Sequence, residues 1–167
     1  MNRLLKGLSV SVCLLMILVC AIPAGAQVLN EKQISLALAA EAAVAAMQDC
    51  IARGFSVSVA VVDRSGITKV LIRDDGAGPG TPDGSRRKAL TAVTFRSSTL
   101  LLSQRIAADP TVEGLRDFAD VLILGGGLPI RSGTEVIGGI GVGGAPGADI
   151  DDQCAQVGIN RISDRLN

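Results

Sequence analysis

The chain has 167 residues, with 16 basic and 16 acidic side chains, three phenylalanines and no histidine, tryptophan or tyrosine. Without histidine, neither a Ser-His-Asp or Cys-His nucleophile nor a histidine metal site can be assembled. No stripe of lysine and arginine stands out and aromatic platforms for bases are lacking, which argues against nucleic acid as a partner.

Arg3 and Lys6 precede an apolar run of about 15 residues from Leu8 to Ile22; Pro23 breaks it, and Ala24-Gly25-Ala26 supplies small residues. This pattern predicts a secretory signal over residues 1–26, cleaved before Gln27. A membrane span needs roughly 20 apolar residues, so the expectation is a periplasmic or secreted protein with no stable anchor after cleavage. A lipoprotein anchor is disfavoured, because Val19 stands before Cys20 where a small residue is wanted. The remaining 141 residues, 27–167, carry 14 basic against 16 acidic groups and form a single domain large enough to bury a core. Cys13 and Cys20 leave with the signal, whereas Cys50 and Cys154 stay. In an oxidising compartment that pair suits a disulfide, which would close a loop of about 100 residues and contribute up to roughly 5 kcal/mol on a chain-entropy argument. The alternative is two buried free thiols packed as small hydrophobes.

Along the chain, Asn30 is expected to cap an alanine-rich helix over residues 30–52, with Ile34, Leu38, Ala42 and Ala45 on one face and Gly54 at its left-handed end. Residues 57–62 read as a buried strand, Asp63-Arg64-Ser65-Gly66 as a turn and residues 67–73 as the return strand. A Gly/Pro-rich loop over 74–84 leads to a helix at 85–96, with Arg86, Arg87 and Lys88 near its start, where positive charge opposes the helix dipole unless an anion sits nearby. A second helix is expected at 99–108, then a short strand at 121–124, a second hairpin at 128–131 and 135–142, and a last helix capped by Asp149. The sum is an α+β domain with about five antiparallel strands flanked by helices.

Two glycine motifs have competing readings. Gly125-Gly126-Gly127 is either a tight turn or a set of backbone amides for an anion. The G-x-G-x-x-G from Gly139 to Gly144 comes too late in the chain for a dinucleotide fold, and reads as a strand that another element approaches closely. Asp149, Asp151 and Asp152 lack calcium-loop spacing and read as favourable charges at a helix start. Asp74 and Asp75, with the basic residues beyond the loop, either border a pocket or are solvated surface charge.

Four blocks in order resemble the GlcG/HbpS family. They are Val59-Ala60-Val61-Val62-Asp63 with Gly66; Arg73-Asp74-Asp75-Gly76-Ala77; Lys88-Ala89-Leu90-Thr91-Ala92 with Phe95; and Gly126-Gly127-Leu128-Pro129-Ile130 continuing into Val136-Ile137-Gly138-Gly139-Ile140-Gly141-Val142-Gly143-Gly144. Asp149, Asp152, Cys154-Ala155 and Gly158 extend the likeness, which spans about residues 30–165. The resemblance implies a profilin-like fold, homo-oligomers and, for some members, haem or a related tetrapyrrole as ligand. With no histidine or tyrosine, the soft iron donors left in the domain are Met47, Cys50 and Cys154, and a hydroxyl such as Thr91 is a weak one. The expected site is therefore an apolar groove at the second helix, with Arg73, Arg87 and Lys88 pairing ligand carboxylates and Thr91 and Phe95 lining it. That makes the domain a non-catalytic small-ligand binder. The alternatives are an enzyme acting on a small hydroxy acid or aldehyde such as glycolate, with Asp63 or Asp74 as base, and a purely regulatory oligomer.

Overall fold

The computed structural model describes residues 27–166. The expected signal at 1–26 lies outside the described residues. The chain divides into two units, Met1–Glu31 and Lys32–Asn167, and every element below belongs to the second. No helix among the described residues is long and apolar enough to cross a membrane.

Helix α1 runs Leu36–Ala52. It starts later than expected because Ser35, not Asn30, is the cap: its hydroxyl accepts the Leu38 N–H. Ile34 just before it is extended, its N–H donating to Ile137 O at 3.0 Å and its side chain buried. Strands β1 (Ser58–Asp63) and β2 (Thr68–Arg73) form the first hairpin. Asp63 closes its turn by accepting the Ser65 and Ile67 N–H groups at 2.9 and 3.0 Å.

Helix α2 spans Thr81–Phe95, four residues earlier than the sequence suggested. Pro82 in its first turn has no N–H to leave unpaired, so a residue assigned to the preceding loop instead lies at the start of the helix. Helix α3 (Thr99–Ala108) is capped by Ser98, and a 3-10 stretch, Pro110–Asp117, follows. Strands β3 (Gly127–Ser132) and β4 (Glu135–Gly143) make the second hairpin, and α4 (Ala148–Ile162) closes the domain. The cap of α4 is Gly147 rather than Asp149, which lies exposed in the first turn.

The sheet has four antiparallel strands in the order β2-β1-β4-β3, one fewer than expected. Residues 121–124 are not a strand. Val121 and Ile123 do alternate inward, onto Leu102 and Ile106. Their backbone, however, bonds to helix side chains: Leu122 N–H donates to Thr91 Oγ1 at 2.8 Å, Val121 O accepts from Arg87 at 2.7 Å, and Leu124 O accepts from Thr99 Oγ1 at 2.8 Å. An apolar alternation alone cannot tell this from sheet pairing.

The strands' two-residue period sorts the core. Val59, Val61, Ile140 and Val142 face α1 and α4 in the main cluster, while Ala60 and Val62 face Ala89 and Val93 of α2. Cys50 of α1 and Cys154 of α4, both fully buried, are joined by a disulfide with Cα atoms 5.7 Å apart. On the other side the glycine run of β4 lets α2 lie directly on the sheet. A Cβ at Gly139 would stand 2.7 Å from Ala89 O; one at Gly141 would overlap Ser85 O and stand 2.6 Å from Ala89 N. The G-x-G-x-x-G is thus a packing surface for a helix.

Candidate functional site

The basic run of α2 is held by groups of the domain itself. Arg86 pairs with Asp83 at 2.9 Å and with Asp120 at 3.1 Å. Arg87 donates to Val121 O, while its Nε is buried without a partner among the described residues. Lys88 is 3% exposed; its Nζ donates to Asp151 Oδ2 at 2.8 Å and to Val142 O at 2.9 Å. Because the helix begins at Thr81, these residues sit in its second turn, and no external anion is needed to offset the dipole.

Arg87, Thr91 and Phe95 follow one another at four-residue spacing on one face of α2, and the chain's own segment 118–124 covers that face. Thr91 is fully buried, donating to Arg87 O and accepting from Leu122 N–H. Phe95 meets Phe118 edge to face, with centroids 5.8 Å apart. Lys88 faces α4 instead, and Arg73 reaches Ala77 O in the following loop. Of the five expected ligand residues, three therefore lie together under a strap, and two point elsewhere. Asp63, one candidate base, has its Oδ1 occupied by the hairpin turn.

The Lys88–Asp151 pair was not foreseen. Both side chains are nearly inaccessible, at 3% and 4%. Asp151 Oδ1 also accepts the Ala145 N–H at 3.1 Å, so this one carboxylate ties α2, α4 and the β4–α4 connection together. Burial pushes the Asp151 carboxyl above its ordinary range, opposed by Lys88 and by the Ala145 and Gly144 amides. Beside the pair is a cavity of about 270 Å³, walled by Thr81, Leu122, Leu124, Gly143 and Ala145.

Asp152, next along α4, accepts the Gly126 N–H at 3.0 Å and faces the Ser98 hydroxyl at 3.5 Å. Gly127 N–H goes to Thr99 Oγ1 at 2.9 Å. The amides of Gly126 and Gly127 are thus taken by the protein itself. Burial raises the Asp152 carboxyl above its usual 3.8, against the Gly126 and Ser98 hydrogen bonds. A carboxyl raised in the folded state binds protons more tightly there, so its contribution to stability is fullest below the unfolded value and falls as pH rises through the folded one. Asp152→Asn keeps an oxygen for Gly126 and removes the titration. Relative to wild type, the variant is expected to gain stability as pH rises from 3.5 to 7, read from denaturant midpoints; a pH-independent difference would contradict this.

An open groove of about 460 Å³ lies between the start of α3, β3 and α4. Leu101 (61% exposed), Leu128, Pro129 and Ile159 give it apolar walls, and Arg96 and Arg131 stand at its edge. Arg131 donates to Arg96 O and Thr134 O, while Arg96 makes no side-chain hydrogen bond or ion pair among the described residues. A third recess, about 350 Å³ between the two hairpin turns and the end of α2, is mostly polar and holds Arg64 and Glu135 at 4.0 Å.

The elements define a small α+β domain, an antiparallel sheet covered by helices on both faces. Residues 34–160 match the family model described as haem degrading protein HbpS-like, and the chain belongs to that family. The crystal structure of HbpS superposes with a TM-score of 0.77 at 40% identity, covering 81% of this chain and 94% of that one. The crystal structure of the PduOC:Heme complex gives 0.70 at 25% identity, covering 78% and 95%. The chain is also 33% identical, over 113 residues, to an uncharacterized 15.0 kDa protein of the dhaT-dhaS intergenic region of Citrobacter freundii, covering 66% of this chain and 80% of that one.

Proposed function

We propose that this protein is exported and binds a flat, anionic tetrapyrrole, haem foremost, without catalysing its conversion. The observation that carries the reading is the likeness to HbpS together with a relative whose crystal structure is a haem complex. The Cys50–Cys154 disulfide supports export, since such bonds persist in oxidising compartments.

The groove beside Arg96 and Arg131 suits the ligand better than the strapped face of α2. It offers exposed apolar surface, an arginine with no other partner and a volume within the range of pockets for ligands of this size. Leu101, Leu128, Pro129 and Ile159 would hold the macrocycle, and Arg96 and Arg131 its carboxylates. The donor set for iron is poor. The domain has no histidine or tyrosine, Cys50 and Cys154 are bonded to each other, Met47 packs against the core and the Thr91 hydroxyl is closed in. Haem itself would supply a Lewis-acidic iron, open to small ligands from solution.

Haemin titrated into residues 27–167 is expected to give a saturable Soret shift at one haem per chain. Arg96→Gln is expected to weaken binding about tenfold, the loss of one charge-assisted pair, while Arg73→Ala leaves it unchanged. Non-saturating adsorption would reject the reading. A band that forms and then decays would favour the degrading activity in the family's description over simple binding. Loss of affinity in Arg73→Ala but not Arg96→Gln would return the site to the second helix.

A further inference from the structure

We propose that the cavity at the head of α2 is a carbonyl-capture site, in which the Lys88 amine forms an imine with a small uncharged aldehyde or ketone while Asp151 carries the proton. The site is separate from the arginine-edged groove and does not depend on haem binding. Three observations carry it. Lys88 lines the cavity, yet its three possible donors have two partners among the described residues, Val142 O and Asp151 Oδ2. The space next to Nζ is open because residue 143 is glycine: a Cβ there would stand 3.9 Å from Nζ and 3.6 Å from Thr81 O. The acceptor for the ammonium proton is already in place at 2.8 Å, shielded from water like Lys88 itself.

The chemistry balances with no further reagent. A proton passes from Nζ to Asp151, leaving a neutral amine. The nitrogen lone pair attacks the carbonyl carbon, the carbonyl π electrons move to oxygen, and one proton of the now positive nitrogen passes to that oxygen. The resulting carbinolamine hydroxyl, protonated from Asp151, leaves as water, and the nitrogen lone pair forms the C=N bond. The product iminium keeps one positive charge beside the Asp151 carboxylate, so the buried pair stays neutral as a whole. Burial favours the neutral carboxylic acid that the middle of this sequence requires. The cavity, about 270 Å³ with Leu122 and Leu124 on its wall, suits a short apolar tail. A ligand carboxylate would meet Asp151 and be repelled.

Lys32 is exposed and Lys69 half-buried, and both serve as internal controls. The folded protein is incubated with propionaldehyde and sodium cyanoborohydride at neutral pH and mapped by peptide mass. A lysine that merely ties α2 to α4 would be protected and label more slowly than Lys32. The proposal expects a propyl adduct on Lys88 at about ten times the initial rate of Lys32 and Lys69, the effect of an activated, positioned amine. Gly143→Ala, whose methyl makes only ordinary contacts, is expected to cut Lys88 labelling about tenfold by filling the space at Nζ. Labelling of Lys32 and Lys69 and the circular dichroism should stay as in wild type. Lys88 labelled no faster than Lys32, or labelled equally in Gly143→Ala, would overturn the proposal.

Discussion

Asp151→Ala is expected to lower folding stability by about 3–5 kcal/mol, because it leaves the Lys88 ammonium buried without its counter-charge. Among the described residues Val142 O remains as the hydrogen-bond acceptor of Nζ, and Asp152 acts on it through charge alone. The Ala145 N–H loses its acceptor at the same time. For a domain of this size the loss corresponds to a fall in melting temperature of roughly 10 °C or more. The double variant Lys88→Met/Asp151→Leu removes both charges and is expected to recover most of that loss, since an apolar pair of similar volume avoids the desolvation cost. Thermal and denaturant unfolding of the two variants decide the matter. Equal instability in both would mean that volume, not charge, governs this position.

The second large effect is expected from reducing the disulfide. Cys50 and Cys154 are 104 positions apart, so the bond constrains a long stretch of the unfolded chain. Its loss should cost up to about 5 kcal/mol on the loop-entropy argument. A Cys50→Ala/Cys154→Ala variant should unfold at a lower denaturant concentration than the oxidised protein and show no further response to reductant. Oxidised wild type should fall toward it when reductant is added. A wild-type midpoint indifferent to reductant would show that packing of α1 on α4 alone sets the stability. Both residues lie fully within the main core, so a modest additional loss from missing sulfur contacts belongs to the alanine variant only.

Much of the fold was legible from local pattern. The hairpin at Asp63-Arg64-Ser65-Gly66, the two-faced alternation of β1 and the glycine end of α1 follow from residue chemistry within a few positions of each other. So does the reading of Gly139 and Gly141 as a surface for close approach. Element starts were harder, because Ser35 and Pro82 compete with other plausible caps and breakers. The segment 121–124 failed for a different reason: its side chains alternate as in a strand, but the partners of its backbone are Arg87 and Thr91, about 30 residues earlier.

The buried ion pair was invisible to spacing because its members are 63 residues apart. A signal existed nonetheless. Asp151 shares the buried stripe of α4 with Cys154, Ala155, Gly158 and Ile162, and Lys88 shares that of α2 with Ser85, Ala89 and Ala92. A charge on an apolar stripe demands a partner of opposite sign. Reading both stripes together would have matched the two.

The bare stretch of β4 also governs how this domain can move. With main chain against main chain at Gly139 and Gly141, α2 rests in a notch rather than on a cushion of side chains. A Cβ at either glycine would run into the backbone of Ser85 or Ala89, so α2 and the sheet pack as a single block. Access to the interior must come from the elements laid over that block. The 118–124 strap, outside any helix or sheet ladder, is anchored by Val121 and Ile123 and by side-chain hydrogen bonds, and shows Phe118 at 55% exposure. Amide hydrogens of residues 118–124 should accordingly exchange far faster than those of α2, even though the two are in contact.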